Sequence, residues 1–284
     1  MDDVRANIQV VGTGIYKGLL TRNYTVLFGK DLENCTVQFT RPGYNSPSYF
    51  YEGGEIRPTV TVKDGTIEVS SSNYDIVWPD DVTNAGTKAV KVKGKSEYAG
   101  EATGTYEIKK TNIETDPIFN IQAKTAVYNK AKAASGNPNG ITPSELTVTN
   151  TYTKSAASEA DYDVSYSDNR ALTSERQKAQ AIVEGAAPNC EGRKRASYDI
   201  VPASFTNKTS DGTTYAEEDQ IKVVFEDGGT SYTCQYTGQE HRPKVKVYQS
   251  DETDGLLVEN TDYTVEWKNN VDAGTGTVVV TSKG

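Results

Sequence analysis

Polar and apolar residues alternate along most of this chain in short runs, broken by Gly, Asn, Asp and Pro. No stretch sustains a 3.6-residue apolar period, so the pattern predicts strands rather than helices. Cys35-Thr-Val-Gln-Phe39 reads as an opening strand, and Thr59-Val-Thr-Val62 as its neighbour after Arg57-Pro58. Asn73-Tyr-Asp-Ile-Val-Trp78 follows, then an acidic turn at Pro79-Asp-Asp81. Thr87-Lys-Ala-Val-Lys-Val-Lys93 and Thr105-Tyr-Glu-Ile108 close the series as a strand pair around a Gly-containing turn. Short strands between frequent turns predict an all-β chain of sandwich type.

The closing half of this series is spelled three times. Gly18 precedes Tyr24, Gly100 precedes Tyr106 and Gly192 precedes Tyr198, each by six residues (24 − 18, 106 − 100, 198 − 192). Coincident glycine, spacing and aromatic mark an internal repeat. Four segments follow: 1–29, a closing strand pair; 30–110, a complete unit; 111–206, a divergent unit; and 207–284, a unit ending on its penultimate strand. In 207–284, Gln235 to Pro243 matches Phe50 to Pro58, with His241 in the place of Ile56. Asp262-Tyr-Thr-Val-Glu-Trp267 matches 73–78, and Val271-Asp-Ala-Gly-Thr275 matches 82–87 with one residue of sliding.

In the middle segment Tyr128-Asn129 stands where Tyr51 and Tyr236 stand, and Tyr166 replaces the Trp. Residues 130–140 form an insertion too rich in Gly and Asn for a regular element. Residues 170–182 read as a long loop returning to strand at Ala179. Polar stretches near 110 and 206 predict short junctions. Because it opens inside a unit, the chain reads as a fragment of a longer protein whose signal and anchor lie elsewhere.

Composition narrows the function. Of 284 residues 35% are hydrophobic, and 18 Tyr against 6 Phe suit half-buried strands. A net charge of −9 offers nothing to nucleic acid or an anionic membrane, and no apolar run is long enough to span a bilayer. Cys35, Cys190 and Cys234 form no CxxC and cannot all pair with one another, so a disulfide framework is not expected.

These residues resemble the bacterial Ig-like domains found in tandem in surface proteins and adhesins of Gram-positive bacteria. The resemblance rests on Tyr236-Thr-Gly with Arg242-Pro-Lys-Val-Lys-Val247, Asn260-Thr-Asp-Tyr-Thr-Val-Glu-Trp267, Lys268-Asn-Asn-Val-Asp-Ala-Gly-Thr275, and Tyr98-Ala-Gly100 with Tyr106-Glu-Ile108. It implies an extracellular, cell-surface β-sandwich array serving as a stalk, spacer or adhesive module. It carries over no binding residue, since the shared residues look structural.

Candidate chemistry is sparse. Trp78 and Trp267 suggest sugar-stacking platforms, but each shares a strand face with Tyr and an aliphatic residue, which reads as core. Asp80-Asp81 and Asp251-Glu-Thr-Asp254 offer oxygen ligands without the spacing of a calcium loop. His241 is the only histidine, which excludes a His-based triad or multi-His metal site. Cys190, in a turn, is expected to be exposed. Among 39 acidic residues no pair is singled out for glycoside hydrolysis. A Lys–Asn isopeptide bond would need a proximity that sequence does not show.

No catalytic, cofactor-binding or metal residue is therefore assigned. The expectation is a non-enzymatic stalk or adhesin segment that needs no cofactor. The alternative is a glycan- or host-protein-binding module, accessory to a polysaccharide-active enzyme, with recognition loops at 130–142 and 168–178. A strand pair without a domain at one end, and a unit without its last strand at the other, also suggest head-to-tail self-association by strand addition.

Overall fold

The computed structural model describes residues 5–25, 29–43, 47–250 and 252–283. The chain is all-β, with short strands, a few 3-10 turns and a helical turn at Lys130–Ala133. It packs as two compact units. The first comprises Met1–Ile118, Asn150–Asp161 and Gly185–Gly192. The second comprises Phe119–Thr149, Tyr162–Glu184 and Arg193–Gly284, so residues 111–206 contribute to both.

In the first unit, strands Thr36–Thr40, Thr59–Asp64 and Ile67–Glu68 form one sheet. Strands Ser48–Phe50, Glu101–Lys109, Gly86–Gly94 and Tyr74–Val77 form another. The alternation of Gly86–Gly94 is realised residue by residue, with Lys88, Val90 and Val92 buried and Ala89, Lys91 and Lys93 exposed. Tyr106 fills the centre, its ring 5.3 Å from Phe39 and 5.8 Å from Tyr49. Its hydroxyl donates to the Ile56 carbonyl at 2.6 Å. A Cβ on Gly104 would lie 2.7 Å from Cβ of Val37, so the facing sheets approach there as closely as backbone allows. Lys88 is buried because its ammonium meets Asp81 at 2.8 Å. Asp81 also accepts from the Thr83 and Asn84 amides. The Lys88 bond first, and those amides, hold its carboxyl well below the usual range.

Arg5–Val11 and Leu19–Thr25 form a separate antiparallel hairpin. Its register repeats that of Gly86–Gly94 with Glu101–Lys109. Val11↔Leu19 corresponds to Lys93↔Glu101, and Val10↔Leu20 to Val92↔Ala102, each offset by 82 residues (93 − 11, 101 − 19, 92 − 10, 102 − 20). The turn closes by the same bond three times along the chain. The amides of Gly12, Gly94 and Gly185 donate to the carbonyls of Gly18, Gly100 and Gly192, all at 2.9 Å. A Cβ on Gly94 would lie 2.7 Å from the Tyr98 carbonyl, so the closure needs glycine.

Other bonds recur in step. The Lys95, Ala186 and Lys283 amides donate to Asn73, Asp161 and Asp262. Those of Ile56, Ile141 and His241 donate to Val82, Asn169 and Asn270. The last set puts Asn270, one residue before Val271, in the place of Val82.

The second unit has two apolar centres. Ala126, Ile141, Ala179, Ala181, Tyr198 and Ile200 form one, with Tyr166 packed against it. Here the Tyr198 hydroxyl donates to the Ile141 carbonyl at 2.6 Å, as Tyr106 does to Ile56. The strand after the long loop begins at Ala179, as the sequence predicts. Ile221, Val247 and Tyr263 form the other centre, between the pair Ile221–Phe225 with Val245–Gln249 and the pair Tyr263–Lys268 with Thr277–Ser282.

Two expectations are corrected. The insertion at 130–140 does contain a regular element, because the Asn129 side chain caps a helical turn by accepting from the Lys132 amide at 3.1 Å. Trp78 and Trp267 are half-buried rather than core. Ile76 on the same strand face as Trp78 is 38% exposed, so the face is covered mainly at its Tyr74 end.

Burial pushes the hydroxyls of Tyr106 and Tyr198 up to about 12. The unfolded chain releases these protons near pH ~10. Their contribution to stability is therefore complete below that pH and is lost as pH rises through about 12. A melting temperature that falls steadily over this alkaline window is expected, with a tyrosinate step in ultraviolet absorbance that coincides with unfolding and shrinks in Tyr106→Phe and Tyr198→Phe. Tyr106→Phe removes the hydroxyl donor to the Ile56 carbonyl and should cost about 1–3 kcal/mol in denaturant titration, whereas Tyr198→Phe should cost less, because Asn169 Nδ2 also donates to the Ile141 carbonyl at 3.2 Å.

Candidate binding surface

The two loops singled out from sequence are brought together in the second unit. Asn169, only 6% exposed, donates through Nδ2 to the Asn139 carbonyl at 2.6 Å, and its own carbonyl accepts from the Ile141 amide. Next to it the Arg170 guanidinium donates to the carbonyls of Ala133, Ala134 and Asn137. Arginine suits this place because its planar fork can hold several carbonyls at once. Loop 168–178 thus clamps the backbone of loop 130–142. Outside the clamp, Ser135, Pro138 and Asn139 face solvent on one loop, and Leu172, Glu175 and Arg176 on the other. The resulting surface is polar, without an aromatic platform.

Each unit also contains a seam of buried polar side chains. In the first unit Asp161 is 2% exposed and accepts from the Tyr51 hydroxyl at 2.6 Å and from Asn189 Nδ2 at 2.8 Å. Asn189 Oδ1 in turn accepts from the Ala85 amide, and the Thr111 hydroxyl donates to the Tyr51 carbonyl. Asn150, 3% exposed, donates to the Glu52 carbonyl at 3.0 Å. Burial first, then the bond to Asp161, pushes the Tyr51 hydroxyl far up.

The seam of the second unit uses the corresponding backbone. Gln249, 2% exposed, donates to the carbonyls of Tyr128 and Asp219, both at 2.9 Å. Asn129, fully buried, donates to Asp219 Oδ1 at 2.8 Å. Lys130 pairs with Asp262 at 2.9 Å, and Lys132 with Asp219 at 2.8 Å. Tyr128 holds the place of Tyr51, since their amides donate to the Val201 and Lys109 carbonyls respectively.

These seams join residues far apart in the chain and leave little trace in its alternation pattern. The trace is Asn150 and Gln249, each two residues beyond a buried strand valine, where the alternation calls for an inward apolar side chain.

The remaining candidates separate. Arg57 lies over the Trp78 ring at 5.4 Å and Arg242 over Trp267 at 5.6 Å, so each exposed indole face is already covered by a cation. The Trp267 indole also donates to the Pro243 carbonyl at 3.3 Å. Asp81 is engaged by Lys88, and Glu252 pairs with Lys246 at 3.4 Å. Asp251 lies outside the described residues. Among the described residues no group of three His, Cys, Asp or Glu is placed to hold a metal ion. His241 is half-buried, its Nε2 bonded to the Thr237 hydroxyl at 3.0 Å.

Cys190 is a correction: it is 1% exposed, not a surface thiol. Its strand Cys190–Glu191 pairs in parallel with Thr111–Asn112, which covers the turn. Cys35 is half-buried and Cys234 exposed, and all three are free thiols. No helix among the described residues is long and apolar enough to cross a membrane.

Burial pushes the Cys190 thiol up to about 12. A charged thiol-reactive dye at neutral pH should therefore label Cys234 quickly and reach Cys190 only after denaturation, as read by peptide mass. Asp161→Ala leaves the Tyr51 hydroxyl buried without its acceptor, and leaves Asn189 Nδ2 with only its bond to Asn84 Oδ1 at 3.0 Å. It should cost about 2–3 kcal/mol in denaturant titration, whereas Tyr51→Phe should cost less.

No protein-family model matches this sequence and no curated protein matches it, so function has to be argued from the chain itself.

Proposed function

We propose that the chain is a non-enzymatic segment of a bacterial surface stalk or adhesin, built of tandem Ig-like β-sandwich domains at 30–110, 111–206 and 207–284. The observation that carries this reading is the pair of polar seams. At each proposed junction a side chain at one strand position, Asn150 or Gln249, hydrogen-bonds backbone of the preceding domain next to Tyr51 or Tyr128. A string of independent binding modules has no use for such bonds. A spacer does, because a directional bond to a buried carbonyl fixes how one domain follows the next. The net charge of −9 suits it as well, since neighbouring copies then repel and stay soluble.

Recognition of a glycan or host protein is the second reading. It is favoured by the clamp of Arg170 and Asn169 on loop 130–142, which holds an irregular loop in one shape on a rigid scaffold.

One set of measurements separates them. For a stalk, Asn150→Ala and Gln249→Ala should loosen the junctions, seen as faster amide exchange in 111–118 and around Tyr128. An array of glycans and matrix proteins should meanwhile return no ligand. An array signal that Arg170→Ala abolishes, with unchanged melting temperature, would replace the stalk by the recognition reading.

A further inference from the structure

The clamp on loop 130–142 encloses a chemically labile peptide. Asn139 is the one Asn in the chain that is followed by Gly. A glycine amide has no Cβ beside it, so the side-chain Cγ of a preceding Asn can close on it as a five-membered ring. The fold demands that glycine twice over. Gly140 has φ +63°, a left-handed backbone. A Cβ there would lie 2.6 Å from Asn169 Oδ1 and 2.7 Å from its Nδ2, in a side chain packed into the clamp. Nothing demands Asn at 139. Its side chain faces solvent and makes no hydrogen bond among the described residues, and neither does the Gly140 amide.

From these features we infer that Asn139-Gly140 is a site of spontaneous conversion to aspartate and isoaspartate, and that the clamp of Asn169 and Arg170 holds the reaction back. The Gly140 nitrogen loses its proton to solvent base and bonds to Asn139 Cγ, and the side-chain nitrogen leaves as ammonia. Water then opens the cyclic imide. Attack at Cγ restores the main chain with aspartate at 139. Attack at the main-chain carbonyl leaves isoaspartate, whose chain runs through Cβ and Cγ.

Ring closure draws the peptide plane between 139 and 140 into the ring, and that plane is held from several sides. The Asn139 carbonyl accepts from Asn169 Nδ2 at 2.6 Å, and the Asn139 amide donates to Asn137 Oδ1 at 3.1 Å. Asn169 Nδ2 also donates to the Ile141 carbonyl at 3.2 Å, while the Ile141 amide donates to the Asn169 carbonyl at 2.9 Å. Arg170 ties down the other limb of the loop through the carbonyls of Ala133, Ala134 and Asn137. Cγ therefore meets the nitrogen in the fraction of molecules whose clamp is open, and the rate follows that fraction. Isoaspartate does not fit the closed clamp. The carbonyl that Asn169 grips becomes a free carboxylate, and the main chain gains one carbon. Conversion is thus a one-way release of the loop, independent of whether the chain serves as a stalk or in recognition.

The test is timed incubation of the full chain in warm, mildly alkaline buffer, followed by peptide mass spectrometry with fragmentation that separates isoaspartate from aspartate. In denaturant, Asn139 should convert faster than any other Asn. In the folded wild type its conversion should be at least about tenfold slower. Arg170→Ala should recover most of that difference with unchanged melting temperature. Should Arg170→Ala melt lower, Arg170→Lys gives the same comparison, because it keeps the charge and loses the fork. Aged wild type enriched in isoaspartate should be cut by trypsin at Arg170 faster than fresh protein. Three results overturn the inference: an Asn139 that stays intact in denaturant, equal rates in folded and unfolded wild type, or Arg170 variants that convert no faster than wild type.

Discussion

The register of one hairpin governs much of this chain. When the amide of Gly94 reaches the carbonyl of Gly100, the strands on either side are locked in phase, and the residue six beyond Gly100 must face inward. That residue is Tyr106, whose ring is the centre of the aromatic cluster and whose hydroxyl finds the Ile56 carbonyl. A slip of one residue would turn Tyr106, Val90 and Val92 to solvent together. The same bond at Gly185 and Gly192 sets Tyr198 on Ile141, even though its turn is one residue longer. The insensitivity to turn length argues that the glycine closure and the tyrosine bond are the constraint, and that the residues between them are filling.

This is why the sequence was legible where it was. Glycine, spacing and tyrosine are written locally, and alternation on Gly86–Gly94 maps directly onto burial. The return to strand at Ala179 was equally local. What could not be read depends on residues distant in the chain. Cys190 sits in a turn sequence that looks exposed, and is buried because Thr111–Asn112 pairs with it from across the unit. Trp78 sits on an inward-reading strand face, and is half-covered, with its ring edge-on to Tyr106 at 6.3 Å and the Arg57 guanidinium over it at 5.4 Å. The clamp of loop 168–178 on 130–142 was foreseen only as two candidate loops. That they meet rests on Arg170, whose partners are backbone carbonyls and leave no sequence signature.

The polar seams obey a different logic from the apolar centres. Exchanging a whole seam, Asp161 together with Tyr51 and Asn189, for aliphatics of similar size would forfeit hydrogen bonds but spare the cost of burying polar atoms, so the net effect of the set on stability is small. Their distinctive property is direction. Valine on valine tolerates sliding, whereas Gln249 satisfies the Tyr128 and Asp219 carbonyls at one setting only. Polar residues at these inward strand positions therefore fit a requirement for fixed geometry between consecutive segments more than one for maximal stability.

The two devices meet in the exposed hairpin. A closure written locally can form with nothing to pack against, which is why Leu19–Thr25 keeps the register of Glu101–Lys109 while its apolar side chains face water. Register and burial are separable: glycine and ladder bonds fix the first, and the facing sheet supplies the second. The asymmetry between a covered Val92 and an exposed Val10, two residues in one register, is thus a statement about packing and not about propensity.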